Sequence, residues 1–159
     1  RFPGEGGATQ DPSLGTASVG LNLDELRAAD LVPFRAAVAA RAPAIQMSPA
    51  LYAAWDGVTP ATLLRAAVQE LRDQLDYDGL VISGDLAVTT LATGGGVGEA
   101  AVQALRAGCD LVWVPGDLAA QEEAYRSVLQ AIRSGELSAA RVARALRRVA
   151  ALKRAYRIR

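Results

Sequence analysis

The sequence predicts an α/β fold built on parallel strands, and three observations carry that reading. Short apolar runs at Ala44-Ile45-Gln46-Met47, Leu80-Val81-Ile82 and Asp110 to Pro115 have the length and β-branched content of buried strands. Helical patterns separate them, and strands alternating with helices at this spacing make a parallel sheet. The chain has 159 residues, enough for one domain with a real core. A closed eight-stranded barrel takes about 250 residues. Three parallel strands would leave both sheet edges open, a liability for pairing, so the chain reads as a single partial domain, 1–159, of something larger.

Taken in order, residues 1–20 are rich in Gly, Pro, Ser and Thr, show no periodicity and read as a long loop. Asn22 or Asp24 can cap a helix entering Leu26 to Leu31, and Pro33-Phe34 opens a second one to about Arg41. After the Ala44 strand comes a loop carrying Tyr52, Trp55 and Asp56. Thr59 to Thr62 starts a helix with Leu63, Leu64, Ala67, Leu71 and Leu75 on its apolar face. Asp76 to Gly79 is a turn into the Leu80 strand, which ends at Ser83-Gly84-Asp85. A glycine-rich loop, Thr93 to Gly98, leads to a helix over about Glu99 to Ala107. The Asp110 strand follows, and the remainder is helical. Residues 141–159 form a basic amphipathic terminal helix with an apolar stripe of Val142, Leu146, Val149 and Leu152. A solvated basic face is the favoured reading of that helix, over contact with nucleic acid or anionic lipid.

Composition narrows the chemistry. Hydrophobic residues make up 51% and aromatics only 5%, so the core must be Ala, Leu and Val. Seventeen basic and seventeen acidic residues cancel, which argues against bulk attraction to nucleic acid or to a membrane surface. No run approaches the roughly 18 apolar residues of a membrane span. Arg1-Phe2-Pro3-Gly4 does not read as a signal peptide; localisation stays open, with the cytoplasm favoured. The chain has one cysteine, Cys109, which reads as a small buried residue, and no histidine. That removes the commonest general base and metal ligand, so no metal site or cofactor is expected.

Several ordered motifs resemble family 3 glycoside hydrolases of the β-N-acetylglucosaminidase type. Arg1-Phe2-Pro3-Gly4-Glu5-Gly6 stands where the family has Lys-His-Phe-Pro-Gly-His-Gly, and Asp30 to Phe34 keeps its Asp-Leu-x-Pro-Phe. Tyr52, Ala54 and Asp56 match Tyr-x-Ala-x-Asp, and Pro60 to Leu63 matches Pro-Ala-Thr-Leu. Tyr77 to Leu86 aligns without a gap to Phe-Asp-Gly-Leu-Val-Ile-Ser-Asp-Asp-Leu. Gly98 to Val102, Ala107 to Leu111 and Val114-Pro115-Gly116 also fit. The resemblance covers the whole chain and implies the C-terminal half of a (β/α)8 barrel, with residues 1–20 as an active-site-type loop. It also implies an N-terminal half-barrel as partner, in cis or from another chain, and a saccharide containing N-acetylglucosamine as ligand.

The departures fall on the chemistry. The family nucleophile position is Gly84, and the histidine acid/base loop reads Asp11-Pro12-Ser13, placing Ser13 at the proton donor. Arg1 and Glu5 replace two histidines of the first motif, and Pro49 a third. A retaining mechanism needs a nucleophile and an acid/base about 5 Å apart, and neither stands at its expected position. The expectation is a catalytically degenerate domain that binds carbohydrate or acts as a scaffold, with Arg1, Tyr52, Asp56 and Asp117 as candidate sugar contacts. The rival is an active β-N-acetylhexosaminidase with Asp85 as nucleophile and Glu5 or Asp11 as acid. Against it, residues adjacent in a strand face opposite ways, which favours a structural hydrogen-bonding role for Asp85. A weaker alternative makes Gly94 to Gly98 a phosphate or nucleotide loop, although Gly-x-Gly-x-x-Gly fails at Glu99. Trp55 and Trp113 are weighed as stacking residues, with Trp113 expected in the core.

Overall fold

The computed structural model describes residues 1–158. Its central sheet is parallel, with β2 (Ala44–Gln46), β4 (Leu80–Asp85) and β5 (Leu111–Trp113) in the order β2-β4-β5. These are the three expected strands. Two further strands are only two residues long: β1 (Ser18–Val19) pairs in parallel with β3 (Leu51–Tyr52). Phe2 adds a parallel bridge to Met47 on the outer side of β2, its amide donating to Gln46 O at 2.7 Å. The expectation of a featureless loop over 1–20 is therefore corrected. Phe2, Ala17 and Val19 are buried, and a 3-10 turn spans Pro12–Leu14. Pairings this short cannot show a period of two, which is why the sequence pattern missed them.

The helices follow from local signals. Asn22 caps α1 (Leu23–Ala28) with a full capping box, accepting from Glu25 N while the Glu25 carboxylate accepts from Asn22 N. Pro33 lies in the first turn of α2 (Val32–Ala39). The single helix expected from Thr59 is instead broken. A 3-10 turn over Ala61–Leu63 gives way to extended Leu64, then to α3 (Arg65–Gln69) and a π turn at Glu70–Gln74. The cause is Thr62, whose amide donates to Ser48 O and whose hydroxyl accepts from Gly84 N, tying the turn to the sheet. Buried Glu70 takes a bidentate fork from Arg27 at 2.7 and 2.8 Å, joining α1 to this segment.

A helix not set apart by the sequence pattern, α4 (Leu86–Thr93), follows β4 directly with Asp85 as its cap. The glycine-rich linker is correspondingly short, and α5 (Val97–Ala107) starts two residues earlier than expected. α5 packs on α6 (Leu118–Arg133). Their approach requires Gly98, because a Cβ there would meet the Ser127 hydroxyl. α7 (Ala139–Ala155) closes the described chain. Its buried residue is Ala145, while Leu146 of the expected stripe is 61% exposed. Two of its arginines, Arg141 and Arg148, turn inward to the buried carboxylate of Asp110 at 3.3 and 3.5 Å, so its basic face is only partly solvated.

Cys109 is fully buried, as expected. Trp113 corrects the expectation of a core residue: it is 42% exposed, because β5 pairs with β4 alone among the described residues and its other edge is open. No helix among the described residues is long and apolar enough to cross a membrane.

Candidate active site

The carboxyl ends of β2 and β4 and the first residues of the chain meet on one side of the sheet. That is the end where catalytic groups sit in parallel barrels. Gly84 lies there, buried, its amide donating to Thr62 Oγ1 at 2.9 Å. Ser83 Oγ donates to Gly84 O and accepts from Trp113 N, which locks the strand end to β5. A Cβ built on Gly84 would lie 3.0 Å from Pro49 N, 3.1 Å from Met47 O and 3.2 Å from Pro49 Cδ. Two of those atoms are backbone. A Cβ there would be in tight contact with the turn after β2, which would have to give by a few tenths of an ångström.

Asp85, one residue on, accepts from Val88 N at 3.0 Å and caps α4, while its carbonyl accepts from the Thr89 hydroxyl. Its carboxylate is thus a helix cap, the structural role favoured by the strand alternation.

Across the site, Glu5 accepts from Ser48 Oγ at 2.7 Å and from Arg1 at 3.3 Å. Tyr52 is buried and donates to Gly4 O at 2.7 Å, with its ring edge-on to Trp55. Burial pushes its hydroxyl far above the ordinary phenol range, so it stays protonated. Asp30 lies beneath this loop, and its Oδ2 is the buried side-chain oxygen without a hydrogen-bond partner among the described residues. Sequence reasoning singled out neither Ser48 nor the carboxylate of Asp30. The Asp-Leu-x-Pro-Phe match was the signal available for Asp30.

The remaining candidates stand apart. Asp11 caps the 3-10 turn at Pro12, accepting from both the amide and the hydroxyl of Ser13 at 2.8 and 2.7 Å. Those two bonds hold its carboxyl below the usual range, although it is exposed. Ser13 therefore faces Asp11, and the two form a closed local pair. Asp56 accepts from the amides of Val58 and Thr59. Desolvation raises its carboxyl, but these bonds outweigh it and the net direction is down. Asp117 caps α6 through Ala120 N at 2.9 Å. Each of these carboxylates is engaged in a turn or cap of its own segment.

The glycine-rich linker weighs against the phosphate-loop alternative. Gly98 N, at the start of α5, donates to Glu123 Oε1 at 3.0 Å. A carboxylate of the chain already occupies the place that an anion would take. Among the described residues no group of three or more His, Cys, Asp or Glu is arranged to hold a metal ion.

Comparisons with known proteins agree on one family. The family model for the glycosyl hydrolase family 3 N terminal domain matches residues 1–152. An uncharacterized secreted glycosyl hydrolase of Arthroderma benhamiae is 34% identical over 155 residues, covering 95% of this chain and 44% of that protein. A beta-hexosaminidase of Stenotrophomonas maltophilia is 40% identical over 114 residues, 71% of this chain and 34% of its own length. Among solved structures, a family 3 beta-N-acetylglucosaminidase from Paenibacillus sp. superposes with a TM-score of 0.91 at 35% identity, covering 97% of this chain and 30% of that one. A beta-N-acetylhexosaminidase from Beutenbergia cavernae gives 0.81 at 30% identity, covering 96% and 45%. The chain spans less than half the length of these relatives.

Proposed function

Because the chain belongs to the glycosyl hydrolase family 3 N terminal domain family, we propose that it is the C-terminal half of a β-N-acetylhexosaminidase-like barrel that no longer hydrolyses its ligand. In this reading it binds N-acetylglucosamine-containing saccharide or serves as a scaffold, completed by an N-terminal half-barrel in cis or from another chain. The observation that carries the loss of hydrolysis is Gly84 itself, which offers no carboxylate, with Pro49 N and Met47 O packed 3.0 and 3.1 Å from where a Cβ would stand. A retaining glycosidase needs a carboxylate there and a proton donor opposite. The donor position, Ser13, is bonded to an ionised Asp11.

The same bonds weigh against the active rival. An acid must hold its proton near neutral pH, which takes burial or a close like charge, and Asp11 is pushed the other way. Asp85 would have to give up its cap on α4 to attack a substrate. Glu5 is held by Ser48 and Arg1. In the binding role, Arg1 and Glu5, paired with each other at 3.3 Å, are the polar groups offered to a sugar, with Asp56 and Asp117 on the loops after β3 and β5.

Calorimetric titration of the assembled barrel with N-acetylglucosamine and with N-acetylglucosamine oligosaccharides separates the two forms of this reading. Saturable heat that Arg1→Ala weakens supports sugar binding. No heat at millimolar ligand leaves the scaffold role alone.

A further inference from the structure

Away from Gly84, on the helical exterior near the amino ends of the strands, the chain has a second concave site. Asp110 precedes β5 and accepts from Val81 N, near the start of β4, which fixes its place opposite the catalytic-type end. Beside it lies a cavity of about 520 Å³ between α3, the end of α5 and the start of α7. That volume is within the roughly 300–1,000 Å³ usual for small-ligand sites. Six arginines line it: Arg65, Arg72, Arg106, Arg141, Arg144 and Arg148.

The acids present do not balance them. Glu136 is engaged with Arg106 at 3.1 Å. Asp110, fully buried, is shared by Arg72 at 2.6 Å, Arg141 at 3.3 Å and Arg148 at 3.5 Å. Asp73 is the other acid on the wall, and Asp78 pairs with Arg148 at 3.1 Å. Arg65 and Arg144 enter none of the ion pairs or side-chain hydrogen bonds among the described residues, so two guanidinium forks stay open. Burial first, and then repulsion from a neighbouring arginine, lowers the pKa of both Arg72 and Arg141 against the pull of Asp110. Six arginines thus face the four acids Asp73, Asp78, Asp110 and Glu136. Guanidinium forks match the paired oxygens of a phosphate group.

We propose that this arginine-lined cavity is a binding site for a phosphate-type oxyanion, with Arg65 and Arg144 as its open forks and Arg72 and Arg148 behind them. Bound anion would tie α3 to α7 across the amino ends of the strands, away from the sugar-binding side. Arg65 and Arg144 are exposed and hold nothing else together, so their replacement spares the fold.

The test is calorimetric titration of the assembled barrel with inorganic phosphate, pyrophosphate and a hexose 6-phosphate, at an ionic strength fixed with sodium chloride. The expected result is saturable binding to one site, weakened at least ten-fold in R65Q/R144Q and unchanged in Arg35→Gln, which replaces an exposed arginine elsewhere. Tighter binding of the hexose phosphate assigns the site to a phosphorylated sugar, and equal or weaker binding assigns it to the phosphate group itself. No saturable heat at millimolar anion overturns the proposal. So does binding that R65Q/R144Q leaves intact, or that Arg35→Gln weakens as much.

Discussion

A Cβ on Gly84 would approach Pro49 N to 3.0 Å, so the turn after β2 and the end of β4 are fitted to each other without a side chain between them. Contacts that tight against backbone cannot be relieved by rotating a side chain. Gly84→Ala should lower stability by about 1–3 kcal/mol, the usual range for overpacking, and Gly84→Asp by at least as much. Chemical denaturation checks this. An unchanged midpoint in Gly84→Asp would mean that the turn yields, and that the site is open to a carboxylate after all.

Asp110 is the second position where one residue holds several others. Its side chain is fully buried, accepts from Arg72, Arg141 and Val81 N, and forms an ion pair with Arg148 at 3.5 Å. Removing a buried partner strands the charges left behind, at a cost of about 3–5 kcal/mol. Asp110→Asn should show that loss in urea unfolding, whereas Asp78→Asn, which touches only Arg148 among ion pairs, should cost well under 1 kcal/mol because its carboxylate is exposed.

Burial pushes the Cys109 thiol from its ordinary 9.0 up to about 12, against the weaker opposing effect of its hydrogen bond to Thr62 O. Burial likewise raises the Tyr77 hydroxyl from 10.0 to about 12, with Arg72 opposing it. Both groups hold their protons more tightly folded than unfolded. The stability they contribute is complete below about pH 9 and is lost as pH rises through about 12. Thermal melts should therefore fall steeply across that window. At pH 8 a thiol reagent should label Cys109 only at the rate of unfolding, and fast labelling of the native chain would contradict its burial.

The open edge of β5 bears on assembly. Leu111 and Trp113 are 38% and 42% exposed on a strand paired on one side only among the described residues. Unpaired edges with apolar side chains invite a further strand. If the complementary half-barrel docks here, Trp113 fluorescence should shift to the blue on assembly, and a Leu111→Lys/Trp113→Lys double variant should weaken association at least ten-fold by sedimentation. Unchanged association would place the docking edge elsewhere.

What the sequence made legible follows from how local each signal is. β2, β4 and β5 announce themselves as apolar runs, and Asn22 as a cap with Glu25 three residues on. Thr62 hides the break in its helix, because the cause is a bond to Gly84 far along the chain. Trp113 misleads for a related reason: strand position implies burial only when both sides of the strand are covered. At the site, the motif register pointed to Gly84 and Ser13 as departures from the family, but the packing of Pro49 against Gly84 and the Asp11–Ser13 pairing are through-space facts. Asp110 looked like the ordinary start of a strand, and nothing local connects it to Arg72, Arg141 and Arg148.

The central claim is that hydrolysis is gone, and an activated aryl N-acetyl-β-glucosaminide tests it most directly, because its leaving group departs without protonation and so asks only for a nucleophile. General acid–base assistance alone is commonly worth 10²–10⁴-fold, and in the proposed reading the nucleophile position, Gly84, carries no carboxylate as well. The assembled barrel of the parent chain should release phenolate no faster than buffer, with no burst. Steady-state turnover by the parent chain, abolished by Asp85→Asn, would contradict the account and establish the unconventional hydrolase instead.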